Sequence, residues 1–427
     1  MKIYTVNQSK STVGDPGIAN STGAPNHAPD LPCPVGIDLH PDIFDAAVLR
    51  QKKRAKDATV ETRYCEQPTG RIAAWAKRHL DPNQHLLIIE ATSNAFDAVG
   101  KLFDAGFSCI VVESNQTSKV ANAFFDNDQT AAERIARCYL TGMAKVVWVP
   151  DEKTCERREL LHAYHRGVTD NVRANNELKS FLTARNIRPG NRNLHLEKNR
   201  KWVEKQLDLS GAQIAIFEQL YSSMNYTKKV RDQYYRMICE EMLSHKQMLS
   251  CLRVVGIGMI NAFAIVAIVG DIQRFATPEK LVSYLGLNPG NKKSGKGKDY
   301  TTGTGNRGRS DMRSLLIQAA QCVLNQAKKG NQLGKWGFRL FARKGNRNVA
   351  VVAVARKLAH SLYYVLSGRS SDLIEQRKPM QRKFCQLSGE IGKEGRKALG
   401  LPEKRADFIA LLFERVGWPE PEPESAK

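Results

Sequence analysis

The sequence predicts a mixed α/β domain, then a long helical arm, then a second and mainly helical domain. Three short apolar runs come first, at Val35–Leu39, Phe44–Leu49 and Ala58–Tyr64, and their order predicts an antiparallel meander. Helical spacing and apolar runs then alternate up to position 150, which is the pattern of a sheet covered by helices. From 151 to 250, charged residues surround apolar ones at helical spacing, which predicts a coiled-coil connection.

The elements of the first domain follow from local periodicity. The expected helices and strands are a helix at Gly70–Leu80, a strand at Leu86–Glu90, a helix at Phe96–Ala105, a strand at Cys109–Glu113, a helix at Ala131–Gly142 and a strand at Lys145–Val149. The predicted boundaries are a disordered leader at 1–33, the α/β domain at 34–150, the arm at 151–250 and a C-terminal domain at 251–370. Helices and an acidic, disordered tail are expected at 371–427.

The composition favours a polyanionic partner. Lys and Arg total 65 against 43 Asp and Glu, so the 427-residue chain carries a net charge of +22. Nucleic acid is the first candidate for such a charge, and an anionic membrane is the second. No run long enough to span a bilayer and no secretory signal is apparent, so a cytoplasmic location is expected. The nine cysteines are scattered without a C-x-x-C pair, which argues against a zinc site or a disulfide framework.

Three acids in the α/β region are candidate metal ligands. Asp38 interrupts an apolar strand, Glu90 ends another strand, and Asp128 precedes a predicted helix. A carboxylate buried on a strand is costly unless it is paired or binds a cation. Oxygen ligands of this kind suit Mg²⁺ and phosphodiester chemistry. Taken alone, Asp38 or Glu90 is better explained as an ion-pair partner or a cap, whereas the acids taken together favour a metal-binding cluster.

A glycine-rich basic stretch runs from Asn288 to Ser310 and on into the next helix. Its cations are Lys292, Lys293, Lys296, Lys298, Arg307, Arg309 and Arg313, and Ser294 lies between Lys293 and Gly295. Glycines allow close approach to a ligand, and clustered cations neutralise phosphates. The stretch therefore predicts a serine held against a nucleic-acid backbone, or a basic loop that contacts DNA without chemistry.

Gly256 and Gly258 precede an apolar helix. A Gly-x-Gly turn at the start of a helix can present backbone N–H groups to a phosphate, as in a helix-hairpin-helix DNA-binding motif. A plain turn between two helices explains these residues equally well.

The order of several motifs resembles the DEDD-type insertion-sequence transposases, which are related to the Piv/MooV invertases and include bridge-RNA-guided recombinases. The motifs are Gly36-Ile-Asp38, Ile89-Glu90, Val255-Gly-Ile-Gly258, Gly270-Asp-Ile-Gln-Arg-Phe275, Tyr284-Leu-Gly-Leu-Asn-Pro289, Ser294-Gly295 and Gly305-Asn-Arg-Gly308. The resemblance implies that 34–150 is a RuvC-like (RNase H-like) domain and that 251–370 is the family's C-terminal transposase domain.

The resemblance also implies a chemistry and a set of partners. Asp38, Glu90 and Asp128 would hold Mg²⁺, and Ser294 would attack the scissile phosphate to give a phosphoserine link. The partners would be donor DNA, target DNA and a structured guide (bridge) RNA. The chain would act as a homo-oligomer, with dimers assembling into a tetramer, in the bacterial cytoplasm at the nucleoid.

The sequence departs from the family at one acid. Ala131 stands where the resemblance expects a fourth carboxylate, three residues after Asp128. Either Asp126 or Glu133 substitutes for it, or the chain is an inactivated Asp-to-Ala variant that binds nucleic acid and assembles but cleaves poorly. The other interpretations are a RuvC-like junction nuclease with a water nucleophile and a non-catalytic nucleic-acid-binding scaffold.

Overall fold

The chain divides into two compact units, residues 1–151 and 152–427. The structure is a computed structural model that describes residues 33–50, 58–114, 131–292, 300–304, 308–327, 331–371, 373 and 377–417, with the backbone alone at 289–292 and 300–304. The predicted leader (apart from its last residue) and the acidic end of the tail lie outside the described residues.

The first unit is built on a mixed sheet of six strands in the order β3-β2-β1-β4-β5-β6. The strands are β1 (Cys33–Leu39), β2 (Ile43–Arg50), β3 (Thr59–Pro68), β4 (His85–Glu90), β5 (Ser108–Val112) and β6 (Val146–Val147). Strands β1 to β3 pair in antiparallel fashion, as the sequence predicts, and β4 runs parallel to β1. Strand β5 is parallel to β4, and β6 is a two-residue edge strand antiparallel to β5. The strand predicted at Lys145–Val149 is shorter because an edge strand is paired on one side only.

Helices cover the two faces of this sheet differently. Helices α1 (Ile72–His79) and α2 (Ala95–Asp104) pack on the face formed by alternate residues such as Ile37 and Ile89. The opposite face carries α3, whose described part is Ala131–Leu140. Small side chains on α3, Ala132 and Ala136, let that helix lie close to the sheet.

Two long helices form the arm. Helices α4 (Glu152–Thr183) and α6 (Ala212–Leu243) are joined through α5 (Glu197–Glu204). They are antiparallel, because Arg157 pairs with Glu241 near one end and the rings of Phe181 and Phe217 lie 6.1 Å apart near the other. The end of the arm that contains Phe181 and Phe217 has a small core of its own. The opposite end, here called the base, contributes Leu161, Ile238 and Met242 to the main core of the second unit. The predicted arm is therefore helical, and its base belongs to the C-terminal unit.

The second unit continues after the arm with further described helices. They are α7 (Lys246–Cys251), α8 (Met259–Val269), α9 (Pro278–Tyr284), α10 (Ser310–Asn325), α11 (Gln332–Lys344), α12 (Arg347–Leu366), α13 (Arg377–Ala398) and α14 (Arg405–Arg415). Helix α8 packs against α4, α6, α7 and α10, and eight consecutive residues from Ala262 to Val269 are buried.

The end of α8 is closed by two arginines. Arg158 of the arm donates to the carbonyl oxygens of Ala267 and Ile268, at 3.0 and 2.9 Å. Arg274 donates to the carbonyl oxygen of Val269 at 2.9 Å. The last carbonyl oxygens of a helix have no hydrogen-bond donor within the helix, and they carry its negative partial charge. The two guanidinium groups donate hydrogen bonds to these oxygens and place positive charge next to them.

Helix α12 is long and apolar enough to cross a membrane by length and composition, with a mean hydropathy of 1.4 over its best window. The structure instead buries 56% of that window inside the protein. Helix α12 packs against α9, α10 and α11, and Val354, Leu358 and Leu362 are completely buried. Its apolar character is that of a core helix.

The basic stretch predicted as a loop contains a two-stranded hairpin. Strands β7 (Pro289–Lys292) and β8 (Tyr300–Thr304) pair in antiparallel fashion, with Lys292 opposite Tyr300. The interpretation of the whole stretch as a loop was therefore wrong. Its glycines and lysines hide any alternation of apolar and polar residues, and that alternation is the usual sign of a strand.

Candidate acidic site and nucleic-acid interface

Asp38 and Glu90 lie side by side at the ends of two parallel strands. Ile37 of β1 pairs with Ile89 of β4, and Asp38 and Glu90 are the next residues along each strand. Residues two apart on a strand point to the same face. Gly36 faces α3, and Ile88 packs with Ile135 of α3, so Asp38 and Glu90 also lie on the α3 face.

Helix α3 approaches the sheet at this point with backbone contact. A Cβ on Gly36 would overlap the carbonyl oxygen of Ala132 and lie 2.8 Å from the backbone nitrogen of Ala136. Gly36 is thus the residue that allows the helix to settle next to the two acids. Ala131 lies one helical turn before Ile135, which packs on Ile88, so a carboxylate at position 131 would lie on the side of α3 that faces the sheet.

A histidine and an amide lie next to the two acids. His40 Nε2 lies 3.5 Å from Asp38 Oδ2, and the Asp38 side chain is 20% exposed. The amide of Asn94 donates to the carbonyl oxygen of His40 at 3.0 Å and ties the loop after β4 to the turn after β1. Burial raises the pKa of the Cys138 thiol, and the charge of Glu90 raises it further, which places Glu90 within electrostatic reach of α3. The sequence reasoning missed His40 and Asn94, although His40 stands only two positions after Asp38.

The described residues provide two of the expected carboxylate ligands. Among them, no cluster of three or more His, Cys, Asp or Glu side chains is close enough to hold a metal ion. Asp128 and Asp126 lie outside the described residues. Mg²⁺ is often held by one or two carboxylates together with water, so Asp38 and Glu90 fit part of a magnesium site. Ala131 provides no ligand atom.

Glu133, one of the two suggested substitutes for the missing acid, is already paired. Its Oε2 accepts from Arg63 Nη2 at 2.7 Å, and its Oε1 accepts from Arg137 Nε at 2.9 Å. The Glu133 side chain is 3% exposed. Both carboxylate oxygens thus serve an ion-pair network between α3 and β3, which argues against a role for Glu133 as a metal ligand.

The serine and most of the cations of the basic stretch lie outside the described residues. These are Ser294, Lys293, Lys296, Lys298 and Arg307. Ser294 is two positions beyond β7 in the sequence, in the segment that connects the two strands of the hairpin. Lys292 is the last residue of β7. The role of each of these residues stays a prediction.

Two glycines fix the root of the hairpin. Gly308 has φ +82°, and a Cβ there would lie 2.6 Å from the backbone nitrogen of Gly286 and 2.7 Å from the carbonyl oxygen of Tyr284. The Arg309 N–H donates to the carbonyl oxygen of Tyr284 at 3.0 Å. Arg313 Nη1 donates to the carbonyl oxygen of Gly286 at 3.3 Å. The chain therefore enters and leaves the hairpin through one tight backbone contact.

Arg309 has a structural partner. Its Nε and Nη2 donate to the two carboxylate oxygens of Asp311 at 3.1 and 2.6 Å. Burial alone would raise the pKa of Asp311, but the hydrogen bonds and charge of Arg309 outweigh it, so the net pKa is lowered. A bidentate pair of this kind orients the guanidinium group and neutralises part of its charge. Arg309 is consequently a smaller part of any phosphate-binding surface than its sequence context predicts.

Gly256 and Gly258 shape the turn before α8. Gly256 has φ +75°, and a Cβ at this position would overlap the Val323 side chain of α10. Gly258 is exposed, precedes the first residue of α8, and has open space where its Cβ would be. Close packing thus accounts for Gly256, and Gly258 keeps its predicted role as a place where a phosphate could approach.

Comparison with known proteins gives a consistent set of relatives. Residues 251–333 match the family model described as Transposase IS116/IS110/IS902 family. The chain is 27% identical over 289 residues to a putative transposase, y4qE, of Sinorhizobium fredii, which covers 61% of this chain and 70% of that protein.

Two further relatives match over shorter segments. A probable family 20 transposase of Pseudomonas aeruginosa is 36% identical over 117 residues, covering 27% of this chain and 34% of that protein. The transposase for insertion sequence element IS1111A of Coxiella burnetii is 34% identical over 113 residues, covering 26% of this chain and 30% of that protein. These two matches span about a third of the relatives' length. Through residues 251–333, the chain is therefore related to the IS116/IS110/IS902 family of transposases.

Proposed function

We propose that this chain is a DNA transposase of the RuvC-like, DEDD type that joins donor and target DNA through a phosphoserine intermediate. The observation that carries the proposal is the pair Asp38 and Glu90, adjacent on parallel strands on the face covered by the helix whose described part starts at Ala131. The match of residues 251–333 to a transposase family supports DNA as the substrate.

The proposed step exchanges one phosphorus–oxygen bond for another. The Ser294 hydroxyl oxygen attacks the scissile phosphorus, and a phosphoserine bond forms as the bond to the 3′ oxygen breaks. The serine loses its proton, and the leaving oxygen gains one as a free 3′-hydroxyl. Reversal on the other DNA strand restores the serine and joins the two DNAs. Because no net phosphoester bond is lost, the reaction requires no high-energy cofactor.

The acids would act on the charge of the scissile phosphate. Mg²⁺, when bound, would stabilise the charge that develops on the phosphate oxygens. Asp38, Glu90 and Asp128 would hold it, and the 3.5 Å contact from His40 would help to orient the Asp38 carboxylate. The close fit of α3 on Gly36 would keep position 131 next to these acids.

Ala131 implies that the present chain cleaves poorly. Its methyl group provides no oxygen where the fourth acid is expected, and Glu133 is bound to Arg63 and Arg137. Nucleic-acid binding and assembly do not require that ligand. We therefore expect the chain to bind DNA and RNA and to assemble without efficient cutting.

The proposed partners are donor DNA, target DNA, a structured guide RNA and further copies of the chain. The net charge of +22 supports polyanionic partners. The arm exposes several large apolar side chains, among them Val172 at 53%, Ile216 at 50% and Tyr226 at 68%. Exposed apolar side chains on a protruding element support a contact with a second copy, and we propose dimers that assemble into a tetramer.

The test compares the chain with its Ala131→Asp variant. Each protein is incubated with Mg²⁺, the RNA transcribed from the flank of its element and matching DNA, and the products are separated on a denaturing gel. We expect a covalent protein–DNA band from A131D and little or none from the chain as it stands. The A131D/S294A double variant should form no such band.

The other outcomes have distinct meanings. Cut DNA from A131D without a covalent band would indicate a water nucleophile, as in a junction nuclease, and would leave Ser294 as a phosphate contact. Efficient cutting by the unchanged chain would contradict the role given to Ala131. The absence of cutting by A131D together with intact DNA and RNA binding would favour a non-catalytic scaffold.

A further inference from the structure

A cleft on the second unit has the composition of a nucleic-acid site and lies outside the predicted acidic site and the basic hairpin. It has a volume of about 930 Å³ and is formed by α11, α12 and the segment that follows α12. Its described lining includes Trp336, Arg356, Lys357, His360, Tyr364 and Arg369, and no carboxylate.

The arginines and the lysine of this cleft have no ion-pair partner in the part of the chain that the structure describes. Among the described residues, no carboxylate oxygen lies within 4.0 Å of Arg356, Lys357 or Arg369. Glu279 is an acid whose charge interacts with a cleft residue, His360. The pKa of Glu279 is lowered first by a hydrogen bond from Thr277 and also by the charge of His360. Among the described residues, the cleft therefore presents cations without a paired carboxylate.

Aromatic rings lie beneath two of these cations, Lys357 and Arg369. The Lys357 Nζ is 4.8 Å from the centre of the Trp336 ring, and the Arg369 guanidinium is 5.3 Å from the centre of the Tyr364 ring. Both rings are half-buried, so each is held in place while part of its surface faces the cleft. Each ring thus offers a stacking surface with a cation beside it.

We propose that this cleft binds a single-stranded nucleic acid, with an unstacked base on the Trp336 or Tyr364 ring and the adjoining phosphates on Arg356, Lys357 and Arg369. Rings alternating with cations in a groove are the arrangement that binds single strands, because every base has a flat face to stack. A duplex hides its base faces and would use only the cations. Single-stranded RNA and single-stranded DNA share this chemistry.

The test is a binding assay on the full-length chain, and it requires no cleavage, so its outcome is independent of the proposed phosphoserine chemistry. Fluorescein-labelled 12-mers of single-stranded RNA, single-stranded DNA and duplex DNA are titrated at several salt concentrations, with anisotropy as the readout. We expect W336L to weaken single-strand binding about tenfold and W336F to restore most of it. R356Q/R369Q should make the plot of log K against log salt shallower by about 1.4, because each phosphate contact on a single strand contributes about 0.7.

Matched changes on α11 serve as controls. Lys335 is exposed beside Trp336, and Phe338 is an aromatic side chain that is 56% exposed, and neither residue lines the cleft. K335Q and F338L should leave the affinity within about twofold, and circular dichroism should show all variants folded. Comparison of the titrations with single-stranded RNA and single-stranded DNA identifies which nucleic acid the cleft prefers.

Three results would overturn the proposal. The first is an unchanged affinity and salt slope in W336L and R356Q/R369Q. The second is an equal loss in K335Q and F338L. The third is duplex DNA binding more tightly than both single strands, which would mean that the rings take no part. A photocross-link from 4-thiouridine in the RNA to α11 or α12 would support the proposal directly.

Discussion

Gly36 of β1 and Ala132 of α3 are in backbone contact, and a single methyl group on Gly36 would overlap the Ala132 carbonyl oxygen. Backbone atoms on both sides cannot give way as a flexible side chain would. The contact fixes the distance between β1 and α3 at Gly36, two residues before Asp38 on the same strand. The glycine of the Gly36-Ile-Asp38 motif thus has a steric role of its own.

The first prediction concerns that contact. Gly36→Ala should lower the free energy of unfolding by about 3 kcal/mol or more, because α3 would have to move off the sheet. Urea denaturation followed by circular dichroism measures it. Gly100→Ala is the control: Gly100 lies in α2 with open space at its Cβ, so alanine there should stabilise the helix by up to about 1 kcal/mol. An equal change in unfolding free energy for G36A and G100A would contradict the close contact between Gly36 and α3.

The second prediction separates the structural from the catalytic reading of Glu133. Glu133→Gln should cost about 3 kcal/mol of stability, because it leaves Arg137, only 12% exposed, without its carboxylate. Glu113→Gln, whose partner Lys145 is 68% exposed, should cost less than about 1 kcal/mol. If E133Q kept full stability but abolished DNA cleavage in the A131D background, Glu133 would be a ligand after all.

The third prediction concerns the root of the hairpin. Gly308→Ala should displace the hairpin, because the new Cβ would meet the backbone of Gly286 and Tyr284. In the A131D background we expect covalent adduct formation to fall at least tenfold. Gly345→Ala is the control: Gly345 also has a positive φ of +66°, but open space surrounds its Cβ. A similar loss of adduct in G345A would show that backbone strain, and not the contact, is responsible.

The fourth prediction is a pH dependence from Arg309 and Asp311. Because the pKa of Asp311 is lower in the folded protein than its usual value of 3.8, the pair stabilises the fold above that pH. The contribution disappears as the pH falls through the lowered pKa. Asp311→Asn should therefore cost up to about 1 kcal/mol at pH 7 and progressively less as the pH falls below 3.8 toward the lowered pKa.

The measurement is the difference in unfolding free energy between D311N and the unchanged chain across this range. Arg309→Gln should show the same pH dependence, and the double variant should lose no more than either single one. A difference that does not decrease at all as the pH is lowered below 3.8 would mean that packing, not charge, explains the effect.

The fifth prediction addresses the arm. V172E/Y226E places charges on two exposed apolar positions of α4 and α6 and should reduce the molecular mass measured by light scattering to that of a smaller assembly. Leu399→Glu changes a side chain that is 48% exposed outside the arm and should leave the mass unchanged. If both variants keep the wild-type mass, the assembly uses another surface.

Local patterns in the sequence were enough to predict much of the fold. The run Leu86–Glu90 predicts β4, and the spacing from Ala131 predicts α3, each within two residues of its observed end. Apolar periodicity is a local property, and these elements are stable because they follow it. The position of Asp38 beside Glu90 could be expected for the same reason, since each acid lies at or next to the end of an apolar strand.

Contacts between distant segments could not be predicted in this way. Arg158 closes the end of α8 across more than a hundred residues, and nothing in its own segment shows that partner. Trp336 and Lys357 belong to different helices, and their pairing arises only when α11 packs on α12. Glu133 looks like a surface helix acid until Arg63 of β3 reaches it. Such partners depend on tertiary packing, which single-sequence patterns do not encode.

The two long helices of the arm give it a definite length. Each has 32 residues, and at about 1.5 Å per residue it extends about 48 Å. Duplex DNA rises about 3.4 Å per base pair, so the arm is as long as about 14 base pairs, more than one turn. In the assembly proposed above, an arm of this length would set the spacing between copies. Removing seven residues from each helix would shorten the arm by about 10 Å, the rise of about three base pairs. Because seven residues are close to two full turns, the exposed side chains beyond the deletion would rotate by only about 20°.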